Sequence, residues 1–77
     1  MNPTVSIGRI VHFFVREFSV DAGPAGVLRP YPAIVTKVHT NELINLVPFG
    51  GEFNCQEQTS VPFGDGELRT WVWPPRV

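Results

Sequence analysis

Two histidines, His12 and His39, are the side chains of this chain best suited to acid–base work near neutral pH or to ligating a transition metal. They fall on separate segments, and no third ligand stands at a spacing that would complete a metal site. The carboxylates Glu17, Asp21, Glu42, Glu52, Glu57, Asp65 and Glu67 are scattered. None forms a pair that the sequence places at the separation glycoside hydrolysis needs. Ser6, Ser19 and Ser60 lack the glycine-flanked elbow that exposes a nucleophilic serine. Cys55 has no neighbouring His or Lys to activate its thiol. As the single cysteine it also excludes an intramolecular disulfide and a cysteine-based zinc set. Gly64-Asp65-Gly66 reads as a turn, because no helix follows to receive a phosphate. These residues point to no catalytic centre, no metal site and no cofactor, and the chain is expected not to be an enzyme.

The aromatic and cationic residues offer a different chemistry. Trp71 and Trp73 stand two apart, so a strand directs both rings to one face. Pro74 and Pro75 then end the ladder, since proline has no N–H to donate. With Phe13, Tyr31, Arg69 and Arg76 they form the expected binding set. Such rings and guanidiniums either stack a nucleotide base or anchor a protein partner. A small barrel holds only a few large rings, so the tryptophan pair is expected on the outer side or at a rim, with Val72 filling the interior.

The elements that must position these residues are strands. Eight prolines and seven glycines are spread so that no window is both breaker-free and helically periodic. The pattern predicts strands over residues 7–18, 31–39, 42–49, 52–62 and 67–73. Residues 21–30 read as a loop, Thr40-Asn41 and Gly50-Gly51 as turns, and Asp65-Gly66 as a hairpin turn. In the third strand Leu43, Asn45 and Val47 share one face, Ile44 and Leu46 the other. In the second, a mostly apolar face of Ala33, Val35 and the stem of Lys37 opposes a mixed face of Ile34, Thr36 and Val38.

The first strand is apolar on both sides: Ile10, His12 and Phe14 alternate with Val11, Phe13 and Val15. The pattern leaves open which set faces inward. Either way the second face needs a cover, from the loop at 21–30 or from another subunit. A homo-oligomer is therefore expected.

Five short strands, a long first loop and tight turns predict an all-β fold, a small, partly open, five-stranded SH3-like barrel without substantial helix. A five-stranded OB-fold fits less well, since residues 50–60 are too short and too poor in helix formers for its usual helix. At 77 residues the chain is read as one domain, 1–77, near the lower limit for a self-supporting core. A net charge of −1 argues against duplex nucleic acid as partner. No apolar run approaches the roughly 20 residues that span a bilayer, and Met1-Asn2-Pro3-Thr4 does not open like a signal peptide.

Several runs carry a resemblance: Gly8-Arg9-Ile10-Val11-His12-Phe13, Tyr31-Pro32-Ala33-Ile34-Val35-Thr36-Lys37-Val38, Ile44-Asn45-Leu46-Val47, Val61-Pro62, and Thr70-Trp71-Val72-Trp73-Pro74-Pro75-Arg76. Together they resemble a group of small phage and prophage proteins that begin with a Gly-Arg-Ile-Val-like strand and end in a Trp-x-Trp-Pro signature. The likeness spans most of the chain outside residues 20–30. It implies a phage-associated origin, placing the chain in the host bacterial cytoplasm or the virion, and brings no functional residues with it. The expectation is an accessory protein acting through protein–protein contacts. The alternative is an oligomer that captures a nucleotide or other small ligand against host defence.

Overall fold

The computed structural model describes residues 4–17, 26–64 and 66–75. These hold five strands: β1 (Ile10–Glu17), β2 (Val27–Val38), β3 (Leu43–Pro48), β4 (Gln58–Pro62) and β5 (Trp71–Val72). They form one antiparallel sheet in the order β4-β3-β2-β1-β5, curled into a half-barrel. No helix occurs among the described residues. The fold is all-β, and its strand order is compatible with an SH3-like barrel.

The open question about β1 resolves in favour of the odd-numbered residues. Val11, Phe13 and Val15 are wholly buried on the concave side, where they meet Ala33, Val35, Leu46, Ile44, Val61 and Trp71. Ile10, His12 and Phe14 therefore face outward from the convex side.

β2 begins at Val27, four residues before the sequence predicts, so part of the expected loop is strand. The prolines of β2 sit where they do little harm. The Pro32 carbonyl accepts from Phe49 N at 2.8 Å, so the Pro32 nitrogen also faces β3, at the last rung of that ladder. Pro30 lies two residues further on, past the end of β3, where no N–H is asked for. The rest of the predicted loop, residues 21–25, lies outside the described residues, as does Phe18 at the expected end of the first strand.

The sheet bends at Asn45. Between the β2 residues Val35 and Lys37 lies one extra residue, Thr36, opposite the step from Leu46 to Asn45. On the other side, β4 also carries one residue too many between Gln58 and Val61. Both neighbours of β3 thus bulge beside the same position, and bulges are how a sheet acquires curvature. Ser60 in the β4 bulge has a left-handed φ of 53°. Asn45, 8 % exposed, fills the gap: its Oδ1 accepts from Ser60 N and from His39 Nε2, both at 2.9 Å. Because a backbone N–H can only donate, this bond fixes the amide's orientation and requires a proton on His39 Nε2.

The two final strands are shorter than expected. Residues 51–55 form a turn closed by Asn54 N on the Gly51 carbonyl and Cys55 N on the Pro48 carbonyl, so β4 starts only at Gln58. β4 and β5 are not paired with each other as the hairpin expected at Asp65-Gly66 would have them. β4 and β5 lie at opposite ends of the sheet order, and β5 pairs with β1, His12 facing Val72 and Phe13 facing Trp71. Arg69, at φ 59°, breaks the strand before Trp71. Asp65 itself lies outside the described residues. Phe63, just past the end of β4, makes a parallel bridge to Trp71 in β5, which closes one end of the half-barrel.

Candidate binding surface

Trp71 is the centre of the core rather than its outer side. Residues directly opposite in an antiparallel pair share a face. Phe13 is opposite Trp71 on one flank and Tyr31 on the other, so all three turn to the concave side. Trp71 is 1 % exposed and Phe13 wholly buried, which corrects the expected placement of Trp71 on the outer side or at a rim. Val72, expected inside, faces outward at half burial. The indole of Trp71 is boxed in by Phe63 and Trp73, both edge-on, with centroids 5.0 and 5.5 Å away. No face of Trp71 is left for a base to stack on.

The remaining expected residues disperse. Trp73 is half-buried at the barrel's mouth under the Arg9 guanidinium, 5.3 Å from the ring centroid, and its buried Nε1 has no hydrogen-bond partner. Arg69 is exposed and lies over Phe53 at 5.0 Å. Arg76 lies outside the described residues. Of the two histidines, His12 sits on the convex rung opposite Pro32, whereas His39 caps Asn45 beyond the end of β2. Among the described residues no three metal-capable side chains cluster.

Tyr31 builds a small site of its own. Its ring lies against the Gly50-Gly51 turn so closely that a Cβ on Gly50 would stand 2.7 Å from Cδ1. The positive φ of Gly50, 125°, is one only glycine adopts readily. The phenol donates to Glu17 Oε2 at 3.1 Å, and the same oxygen accepts from Arg29 Nε at 2.7 Å. Desolvation first, then the hydrogen bond to Glu17 and its negative charge, push the Tyr31 phenol above its ordinary pKa; Arg29 partly opposes them. Tyr31, Glu17, Val15, Arg16, Gly51 and Glu52 line an open groove of about 340 Å³. A second groove, about 320 Å³, runs between β4 and Arg69 and is lined mostly by polar residues.

The larger feature is the convex face, of which the sequence reading anticipated only the second apolar side of the first strand. Its rows follow from the register. Ile10, Ile34 and Val47 stand side by side on β1, β2 and β3. The next row is Val72, His12 and Pro32, continued by Phe49, whose N–H reaches the Pro32 carbonyl. Phe14 and Pro30 follow. Ile10 and Phe49 are each 47 % exposed, Pro30 and Pro32 are exposed, and the others are half-buried. No residue in this band carries a fixed charge. The signal for it was present in the two-sided apolarity of the first strand. What the sequence lacked was the register that sets Ile34 and Val47 beside Ile10.

The sheet's edges are poor docking sites by comparison. Pro62 removes a donor from β4, whose bulge twists the strand, and β5 is two residues long before Pro74 and Pro75. These are devices that discourage strand addition. No family model matches the chain, and neither a curated protein nor a solved structure matches it.

Proposed function

We propose that this chain is a non-catalytic binding protein that works through protein–protein contacts on its convex sheet face. The observation that carries this reading is the uncharged apolar band across β5, β1, β2 and β3, with Ile10 and Phe49 nearly half exposed at its margins. Apolar patches of this kind on a small domain mark interaction sites. The resemblance of the Gly-Arg-Ile-Val-like start and the Trp-x-Trp-Pro ending to small phage and prophage proteins supports a phage accessory role, in the virion or in the host bacterial cytoplasm. Among the described residues no helix is long and apolar enough to cross a membrane.

A photo-crosslinking residue in place of Ile34, compared with one in place of the exposed Glu67 in the turn before β5, tests the reading. In phage-infected bacteria, protein adducts from position 34 but not from position 67 are expected. Position 34 yielding no protein adduct would overturn it.

The groove at Tyr31 favours a second reading, capture of a nucleotide or similar small ligand. The burial of Trp71 removes the double-indole shelf that this reading first relied on. Mass spectrometry of material released from the purified protein separates the two. A stoichiometric small molecule favours the second reading, and its absence favours the first.

A further inference from the structure

Resting on the second reading, that the groove beside Tyr31 is a ligand site, we infer that its ligand is an organic cation, a guanidinium or ammonium group, held by Glu17, Glu52 and the Tyr31 ring. The groove lies where β1 and β2 run on past the Ala33–Pro48 pair that ends their contact with β3. Val15 and Glu17 follow Phe13 on the concave side of β1, and Tyr31 stands opposite Phe13 on β2. The Gly50-Gly51 turn carries Glu52 to the same groove.

Hydrogen bonding sets the chemistry. Tyr31 Oη gives its proton to Glu17 Oε2 at 3.1 Å, and Arg29 Nε donates to the same oxygen at 2.7 Å. The phenol oxygen is left as an acceptor, and a carboxylate can take about four donors, more than these two. Glu52 is exposed and has no hydrogen bond or ion pair among the described residues. Arg16, which also borders the groove, starts from the opposite side of β1 and is already engaged. What the groove presents is therefore acceptors, and a fitting ligand must bring donors.

Charge and shape point the same way. Arg29 balances Glu17, which leaves the Glu52 charge for a ligand to meet. A nucleotide would set its phosphates beside both carboxylates. The Tyr31 ring is held in place by the turn: a Cβ on Gly51 would come within 3.0 Å of both Tyr31 Cε2 and Val15 Cγ2. A fixed ring is a surface on which cations stack. The fold makes that contact twice already, Arg9 over Trp73 and Arg69 over Phe53. At about 340 Å³ the groove stands at the low end of the roughly 300–1,000 Å³ of ligand sites, a size for a side chain or small amine.

The test titrates three probes into the isotopically labelled chain at constant ionic strength and follows amide chemical shifts. They are the tripeptide acetyl-Gly-Arg-Gly-amide, its counterpart with citrulline, a neutral isostere of arginine, and adenosine monophosphate. The arginine tripeptide is expected to shift Gly51 and Glu52 saturably, with a Kd of about 1–10 mM, as suits an exposed ion pair joined to a ring contact. The other two are expected to leave these signals in place. Glu52→Gln, at an exposed position, is expected to weaken binding about threefold or more. Glu67→Gln, in the turn before β5, is expected to leave it unchanged. Bound arginine sets a positive charge beside the phenol, so the Tyr31 titration midpoint is expected to fall in its presence. Ethylguanidinium separates the sources: equal affinity assigns the site to a free small cation, and tighter binding of the tripeptide assigns it to an arginine within a protein. No saturable shift with the arginine tripeptide, equal shifts with the citrulline one, or unchanged affinity in Glu52→Gln overturns the inference. Groove shifts with adenosine monophosphate alone would overturn it while leaving the second reading standing.

Discussion

Trp71 Nε1 donates to the Glu42 carbonyl at 2.8 Å, across 29 residues of chain. The same carbonyl accepts from Phe63 N at 2.8 Å, so both its lone pairs are in use. One peptide oxygen at the start of β3 thus holds the end of β4 and the indole of β5 together, where the half-barrel closes. Trp71→Phe keeps most of the buried surface and loses the donor. It is expected to destabilise the fold by about 1–3 kcal/mol, since the Glu42 oxygen keeps only one partner. Trp71→Ala is expected to cost about 3–5 kcal/mol, as for other large buried aromatics, and in a domain this small to leave little folded protein. Urea denaturation followed by circular dichroism measures both.

Asn45 is expected to be needed for curvature rather than for binding. Its Oδ1 holds Ser60 N in the β4 bulge and His39 Nε2 beyond β2. Asn45→Ala strands the Ser60 N–H and is expected to cost about 1–3 kcal/mol in the same denaturation experiment. Asn45→Asp keeps an acceptor and is expected to recover part of the loss. Equal losses in the two variants would show that the amide's acceptor is not what matters.

Gly50→Ala is expected to be strongly unfavourable. The new Cβ would lie 2.7 Å from the Tyr31 ring, and the backbone sits at φ 125°. Strained backbone of this sort costs on the order of 1–3 kcal/mol before the clash is counted. Gly66→Ala shares the positive φ, at 79°, but meets nothing within 4 Å, and is expected to cost less. The difference between the two midpoints reads the contact with Tyr31 together with the more strained φ at Gly50.

Tyr31 is the single tyrosine of the chain, so absorbance near the phenolate band reads its titration alone. The midpoint is expected above the ordinary value of about 10, because desolvation and the Glu17 hydrogen bond favour the neutral phenol. A folded value above the unfolded one contributes stability that is present below pH of about 10 and is lost as pH rises through the raised midpoint. Glu17→Gln is expected to lower the midpoint towards the ordinary value and to reduce this alkaline loss. An unchanged midpoint in Glu17→Gln would show that Glu17 does not hold the phenol.

The strand content was legible from residue types alone. Val-, Ile- and Phe-rich runs broken by Gly and Pro cannot sustain a helix, and the alternation of β3 correctly grouped Ile44 with Leu46. Strand ends were less so. Pro30 and Pro32 look like breakers until one knows that their nitrogens face the side where β3 has already ended. Arg69 looks like any strand residue until its left-handed φ cuts β5 short.

The orientation of the faces lay beyond the reach of the amino-acid order. With Ile10, His12 and Phe14 as apolar as Val11, Phe13 and Val15, local patterning is symmetric, and a shift of one residue exchanges the two sides. What broke the symmetry was pairing with distant strands: Trp71 docks opposite Phe13 and so follows it inward, while Ile34 and Val47 fall in beside Ile10 on a convex side that no described strand covers. A one-dimensional pattern specifies that a strand has two apolar sides; which of them meets water depends on contacts between residues tens of positions apart.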